Sequence, residues 1–298
     1  MNEIDTAPDR DAWRADFEAR VLAGYRAAGC SDPLARALLE RVVRGIDDWT
    51  VATDGTGWIA VELSGGTGGT GGTGDDGGAG GSGATVGRIH DLTAAQGRPW
   101  AERWCAERGA ERVEVRLTGG PGAFADYPLR GRNMMRAAAE RPELPTGLTV
   151  RLLTEEEYPG WLAGEQAAYV ADIVRSGALT PDQAKAKSDE DFARYLPQGY
   201  RTPDQTFYAM EAEGQVIGTG WVNHGFLPGV TFGFSLEVYE EHRGRGYGRA
   251  AMAVGEWATR QGGDEAMMLN VFGGNEVAMR LYDSAGFTVL EEFRSIDL

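Results

Sequence analysis

The chain has 298 residues, of which 42% are hydrophobic and 25% charged, and a formal net charge of −16 at pH 7. Its length accommodates two domains, and its acidity argues against a nucleic-acid partner, which needs a basic face to neutralise phosphates. No apolar run approaches the ~20 residues that span a bilayer, and the acidic N-terminus lacks signal-peptide regions. Cys30 and Cys105 offer neither a disulfide framework nor metal-ligand spacing. We therefore expect a cytoplasmic protein without a membrane or metal site.

The first half of the chain predicts two helices followed mainly by strands. Apolar residues at helical spacing indicate a helix within Asp11–Gly29 and a second helix from Ser31. A hairpin turning at 54–57, a strand over 84–91, a helix around 99–107 and strands over 112–117 and 129–136 follow. Gly65–Gly83 is almost entirely glycine, threonine and serine. Such a segment cannot bury enough apolar surface to offset its ordering entropy, so we predict a flexible insertion.

The second half predicts an alternation of helices and strands. Glu140–Gly147 contains two prolines and is interpreted as an interdomain linker. A helix over 155–175 with a break near Pro159-Gly160 and a capping box at Thr180–Gln183 follow the first strand, 149–153. The remaining predicted elements are strands at 206–211, 215–223 and 231–239, helix 248–261, strand 266–272, helix 275–285 and strand 287–292. The pattern indicates an α/β fold with a mixed sheet covered by helices.

A glycine-dense loop between a strand and a helix is the most specific segment of the sequence. It follows Leu236-Glu237-Val238 and reads Arg243-Gly244-Arg245-Gly246-Tyr247-Gly248. A helix start presents unsatisfied N–H groups and a positive dipole end, and glycines let an anion approach the backbone. The lysine of a P-loop and the glycine spacing of a dinucleotide fold are both missing. The loop therefore suits a pyrophosphate, although alone it does not say which one.

A second motif downstream resolves this choice through a resemblance. Asn275, Ala278, Leu281, Tyr282, Gly286 and Phe287 match the Asn-x-x-Ala-x-x-Leu-Tyr-x-x-x-Gly-Phe pattern of the GNAT acetyltransferase superfamily. Arg243, Gly246 and Gly248 match its Arg/Gln-x-x-Gly-x-Gly/Ala signature. The chain resembles this family over residues 148–298, which we predict to be the catalytic N-acetyltransferase domain.

The resemblance implies a role for each matched segment. The backbone of Leu236, Glu237 and Val238 would bind the pantetheine arm of acetyl-CoA, and the amides of Arg243–Gly248 its pyrophosphate. Asn275 and Ala278 would lie along the arm, and Tyr282 would protonate the departing thiolate as general acid. The acceptor would be a primary amine of a small molecule, peptide or protein, which attacks the thioester directly. By the residues alone, Tyr282 would more simply be a core residue of an amphipathic helix, and Asn275 could be only the N-cap of that helix.

The general base is not identified by the sequence. Glu237 is a possible base, although strand alternation could point it away from the site. Asn270 stands where some relatives of the family carry a carboxylate and cannot act as one. His224 lies beside the predicted acceptor region, where Trp161, Tyr169, Phe192 and Tyr195 either line a groove or pack in the core. Acceptor identity and oligomeric state remain open.

A weak internal repeat suggests that residues 1–145 are a degenerate GNAT-like copy. Trp104-x-x-Glu107-x-Gly109 before a strand parallels Trp257-x-x-Arg260-x-Gly262, but the preceding loop, Ala94–Pro99, has a single glycine. The alternatives are that helix–strand units merely look alike, or that this half is an accessory interaction module. For the whole chain, the rival of an acetyltransferase is a non-catalytic acyl-CoA-binding or regulatory protein.

Overall fold

The computed structural model describes residues 4–64 and 85–298. The chain divides into two compact units, Met1–Arg132 with Leu290–Leu298, and Asn133–Val289. The predicted insertion Gly65–Gly83 lies outside the described residues. Leu290–Leu298, which form most of the last strand, belong to the first unit, whereas the sequence analysis placed them in the C-terminal domain. The division into domains near residue 145 stays a prediction.

The first unit begins with two helices, α1 (Arg10–Ala27) and α2 (Asp32–Val42). Its other elements are β1 (Thr50–Thr53), β2 (Trp58–Ser64), β3 (Val86–Leu92), α3 (Gly97–Ala106), β4 (Arg112–Leu117), the start of β5 (Leu129–Ala137) and most of β11 (Thr288–Asp297). Strands β1, β2, β3, β4 and β11 are neighbours in that order. As the helical spacing predicted, α1 buries Trp13, Phe17, Val21 and Tyr25.

The second unit contains the remaining elements in a similar succession. They are β6 (Leu148–Leu152), α4 (Tyr158–Arg175), α5 (Pro181–Tyr195), β7 (Gln205–Ala212), β8 (Gln215–Leu227), β9 (Val230–Val238), α6 (Tyr247–Gln261), β10 (Ala266–Phe272) and α7 (Glu276–Ser284). Strands β10, β9, β8, β7 and β6 are neighbours in that order, and the end of β5 adjoins β10. The mixed α/β fold class predicted from the sequence is confirmed.

One detail of the helix prediction is wrong. The break expected near Pro159-Gly160 does not occur, because α4 is continuous from Tyr158 and Pro159 lies in its first turn. A proline is tolerated there, since the N–H it lacks has no partner within the helix at that position. The predicted capping box is confirmed: Thr180 Oγ1 accepts from the Gln183 amide, and the Gln183 side chain accepts from the Thr180 amide.

The two units are built on the same plan around a parallel strand pair. In the second unit β9 pairs with β10 from Val230 to Gly233, and an extra residue interrupts its pairing with β8 directly afterwards. In the first unit β3 pairs with β4 from Val86 to Ile89, and an extra residue interrupts its pairing with β2 directly afterwards. A helix follows each of these strands. This shared pattern supports the predicted second α/β domain as a tandem copy.

Candidate functional site

The splayed strands β9 and β10 form the centre of the candidate site. Their parallel register ends at Leu269↔Gly233, although β9 continues to Val238 and β10 to Phe272. Trp221 pairs with Ser235 and Val222 with Gly233, so Phe234 is an extra residue in β9. A bulge of this kind bends the strand and increases its twist. Within the described chain, the edge of β9 beyond Gly233 that faces away from β8 has no strand partner.

The glycine-dense loop joins the end of β9 to the start of α6. Gly244 and Gly246 have φ of 77° and 86°, which side chains rarely tolerate. The N-cap position of α6, Gly246, provides no side-chain cap. Among the described residues, the amides of Gly244, Arg245, Gly246, Tyr247 and Gly248 make no hydrogen bond, whereas the Arg249 amide donates to the Gly246 carbonyl. These free donors lie in and just before the first turn of α6, a position that suits an anion.

Arg243 differs from its predicted place in this cradle. Its amide donates to the Glu240 carbonyl at 3.1 Å. Its guanidinium donates to the Val238 carbonyl at 2.9 Å and to Glu237 Oε1 at 3.1 Å. The Arg243 backbone therefore closes the turn, and its side chain holds the end of β9 and the Glu237 carboxylate.

The second motif forms α7 and its cap. Asn275 Oδ1 accepts from the Ala278 amide at 3.1 Å, so the capping interpretation of Asn275 is confirmed. The half-buried Tyr282 lies in the last turn of α7, with its ring centroid 5.7 Å from that of Phe287. Burial, with a smaller contribution from the charge of Asp172, raises the pKa of Tyr282 to about 12. The phenol thus stays protonated at neutral pH.

A carboxylate that the sequence analysis did not select lies beside the splayed strand. Glu165, on α4, accepts a hydrogen bond from Ser235 Oγ at 2.8 Å. Burial raises the pKa of Glu165 to about 7; Ser235 lowers it and the charge of Glu237 raises it further. The sequence contained a signal for this residue, because Glu165 stands one turn from Trp161 and one turn from Tyr169 on the same face of the helix. An acidic residue between two aromatic residues that pack against the core is unusual.

The histidine considered earlier lies away from this centre. His224 contacts the hydroxyls of Thr231 and Thr206 at 3.1 and 3.2 Å, and Thr231 donates to Asp264 at 2.6 Å. Thr231 is at the start of β9, about 20 Å along the strand from Val238. Asn270 donates to Asn133 Oδ1 at 2.9 Å. The hydrogen bonds of His224 and of Asn270 thus include neither the end of β9 nor the glycine-dense loop.

The aromatic residues assigned to an acceptor groove mostly pack together. Phe192 is buried in a cluster with Phe207 and Trp221, and Trp161, Tyr169 and Tyr195 pack against that cluster. Tyr169 also donates to Asp191 Oδ2 at 2.7 Å. Core packing is therefore the principal role that the structure gives this group.

Comparison with known proteins adds the family. Residues 174–287 match the model of the acetyltransferase (GNAT) family. The uncharacterized N-acetyltransferase YycN of Bacillus subtilis is 30% identical over 137 residues, covering 44% of this chain and 86% of that protein. The chain belongs to the GNAT acetyltransferase family. A mycothiol acetyltransferase of Thermobispora bispora is 32% identical over 212 residues, 68% of this chain and 67% of that protein. This GNAT chain is accordingly an acetyltransferase.

The GNAT fold extends through both units. A GCN5-related N-acetyltransferase from Sphaerobacter thermophilus has a structure that covers 99% of this chain and 97% of its own, with a TM-score of 0.51 and 18% identity. In residues 4–64 and 85–298, no group of three histidine, cysteine, aspartate or glutamate side chains is arranged to hold a metal ion. No helix in the same residues is both long and apolar enough to cross a membrane.

Proposed function

We propose that the second unit transfers the acetyl group of acetyl-CoA to a primary amine of a small molecule, a peptide or a protein. The observation that carries this proposal is the opening between β9 and β10 next to the free amides at the start of α6. A CoA molecule presents a pyrophosphate, which needs hydrogen-bond donors for its negative charge. It also presents an amide-containing arm, which needs an unpaired strand edge. The site offers both within one unit.

The cofactor would lie along the splayed edge. The backbone of Leu236–Val238, on the edge of β9 that faces away from β8, would hydrogen-bond the pantetheine arm in the manner of a strand. The amides of Gly244–Gly248 and the dipole of α6 would bind the pyrophosphate, with Arg243 bracing the loop. Asn275 Oδ1 is used as a cap, which leaves its side-chain N–H groups to face the arm.

Tyr282 would serve as general acid. When the amine attacks the thioester carbonyl, the C–S bond breaks and the CoA thiolate needs a proton. The pKa of Tyr282 near 12 keeps the phenol protonated until the thiolate forms. Glu237 would belong to the same end of β9, where Arg243 holds its carboxylate at 3.1 Å.

The first unit would not bind CoA. The helix start that corresponds to the α6 cradle is that of α3, and a carboxylate of the chain already occupies it. Asp54 accepts from the amides of Thr56 and Gly57 at 2.8 and 3.2 Å, and its other oxygen accepts from the Gln96 amide at 3.3 Å. These hydrogen bonds, that from the Thr56 hydroxyl first, lower the pKa of Asp54. A fixed negative charge at this position would repel a pyrophosphate.

Calorimetric titration of acetyl-CoA tests the proposal. The wild-type chain should bind acetyl-CoA with a stoichiometry of one, and Gly246→Asp should abolish binding, because it strains the turn and places a negative charge in the cradle. Gly229→Asp is the matched control, since Gly229 has a φ of 70° in an open turn at the far end of β9. No binding by the folded wild type would refute the cofactor site, and two bound molecules would refute the exclusion of CoA from the first unit.

A further inference from the structure

We propose that Glu165 is the base that removes a proton from the acceptor ammonium. This inference rests on the proposed function and adds a residue to it: the acceptor must approach the thioester between α4 and the splayed end of β9. It also commits the acceptor class to amines that arrive as cations, because an acceptor without a proton to lose would have no need of this carboxylate.

The position of Glu165 is fixed by the strand that would hold the cofactor. Ser235 Oγ donates to Glu165 Oε1 at 2.8 Å. Ser235 is the residue directly after the bulge at Phe234 and directly before Leu236, where the segment proposed to hold the pantetheine arm begins. Leu236 points to the other side, since a Cβ built on Gly255 of α6 would lie 2.8 Å from its Cδ1. The carboxyl of Glu165 therefore lies on the α4 side of the strand that carries the proposed thioester arm.

The charged groups around Glu165 come from both elements that pack there. Glu237 on β9 and Asp172 on α4 each raise the pKa of Glu165, after the larger effect of burial. Ser235, and less strongly the Trp161 indole, act in the opposite direction, although the indole nitrogen lies outside hydrogen-bonding geometry. The charge of Glu165 in turn contributes to raising the pKa of Tyr239. With a pKa of about 7, Glu165 is divided between its two forms at neutral pH, as proton transfer requires.

Asp172 affects both of the groups that transfer protons in the proposed reaction. Its charge acts on Glu165 and also on Tyr282, the proposed general acid. The charge of one carboxylate of the second unit therefore raises the pKa of both the proposed base and the proposed acid. Glu237, by contrast, is 41% exposed and held by Arg243. The structure thus favours Glu165 over Glu237 as the proton acceptor.

The proton balance is complete with these two groups. Glu165 takes one proton from the ammonium, and the neutral amine forms a C–N bond with the thioester carbonyl carbon. The C–S bond then breaks, and the CoA thiolate takes the proton of Tyr282. The surplus proton on the new amide nitrogen restores Tyr282, while the proton on Glu165 leaves to solvent. One ammonium and acetyl-CoA thus give an amide, CoA thiol and one proton.

The test is the pH dependence of kcat/KM, measured by thiol release with a panel of glucosamine, putrescine and an amino-acid amide. The wild type should show a limb that rises with pH through about 7. Glu165→Gln should lower kcat/KM near neutral pH by about a hundredfold or more and lose this limb, with acetyl-CoA affinity unchanged. Glu155→Gln is the matched control, because Glu155 is an exposed partner of Arg201 just before α4.

Substitutions of two neighbours of Glu165 should shift the pH limb in opposite directions, which a purely structural role of Glu165 would not produce. Ser235→Ala removes a hydrogen bond to the charged form and should move the limb up by about one to two pH units. Glu237→Gln removes a like charge and should move it down. Both variants keep Glu165 itself, so they test the assignment even where Glu165→Gln is difficult to interpret.

The outcomes separate the two proposals. An unchanged limb in Glu165→Gln, or shifts of the same sign in the two neighbours, would overturn the base while leaving acetyl transfer intact. Failure of the wild type to bind acetyl-CoA would remove the proposed function itself, and the inference with it. Acetyl-CoA binding without turnover of any amine would contradict amine acetylation and favour a non-catalytic acyl-CoA-binding protein.

Discussion

Replacing Glu165 with glutamine is expected to stabilise the folded protein, and more strongly as the pH rises. The half-buried Glu165 has its pKa raised from 4.5 to about 7, mainly by burial. Below pH 4.5 both folded and unfolded chains carry it protonated, so it costs nothing. Between pH 4.5 and about 7 the unfolded chain ionises it first, and folding stability is lost with increasing pH. At about 1.4 kcal/mol per pKa unit, the cost approaches ~3 kcal/mol at pH 8 and is about 1 kcal/mol near pH 5.

Guanidinium unfolding of wild type and Glu165→Gln near pH 5 and pH 8 measures this difference. Glutamine keeps the shape and can still accept from Ser235, so changes in packing cancel when the two pH values are compared. The variant should gain about 2 kcal/mol more at pH 8 than near pH 5, on the linkage argument above. Glu155→Gln should show no such gain. An equal effect of Glu165→Gln at both pH values would show that Glu165 ionises normally and would refute the burial argument.

Three further perturbations follow from contacts in the second unit. Tyr282→Phe should lower kcat by about a hundredfold or more with little change in acetyl-CoA affinity, because it removes only the proton donor; equal losses in both would exclude the acid role. Gly262→Ala should destabilise the chain by about 1–3 kcal/mol, since its Cβ would lie 2.1 Å from His224 Nδ1, and a double-mutant cycle with His224→Ala should recover most of this. Asn275→Ala should cost about 1 kcal/mol through the lost cap, measured by thermal unfolding; no loss would deny the cap any role in stability.

The cost of Glu165 to stability illustrates how function and folding diverge at one residue. Burying a carboxylate on the inner face of α4 lowers the stability of the folded state. A fold selected for stability alone would place an apolar side chain there. The proposed role as a base would account for a carboxyl at this position, because Glu165 lies against Ser235 of the splayed strand. The same variant is thus expected to gain stability and lose rate.

Local patterns were sufficient to predict most elements of this chain. The spacing of Trp13 and Phe17 predicted α1, the box at Thr180–Gln183 predicted the start of α5, and the glycines after Val238 predicted the turn before α6. Each of these features depends on neighbours within a few residues: helix periodicity, capping and a left-handed turn are local. The exception, an expected break at Pro159, arose because proline acts differently in a first turn than in a helix interior.

The family was determined by the sequence alone, and so was the choice of the segments that we propose to bind the cofactor, because Arg243–Gly248 and Asn275–Phe287 carry their motifs in consecutive residues. What only the tertiary structure decided were relations between residues far apart in the chain. Ser235 meets Glu165 across 70 positions, Asp54 reaches the start of α3 across 42, and Leu290–Leu298 pack with the first unit. No local periodicity encodes such pairs, since they arise when helices and strands are packed, and burial then sets the pKa of the carboxyl on which the proposed chemistry depends.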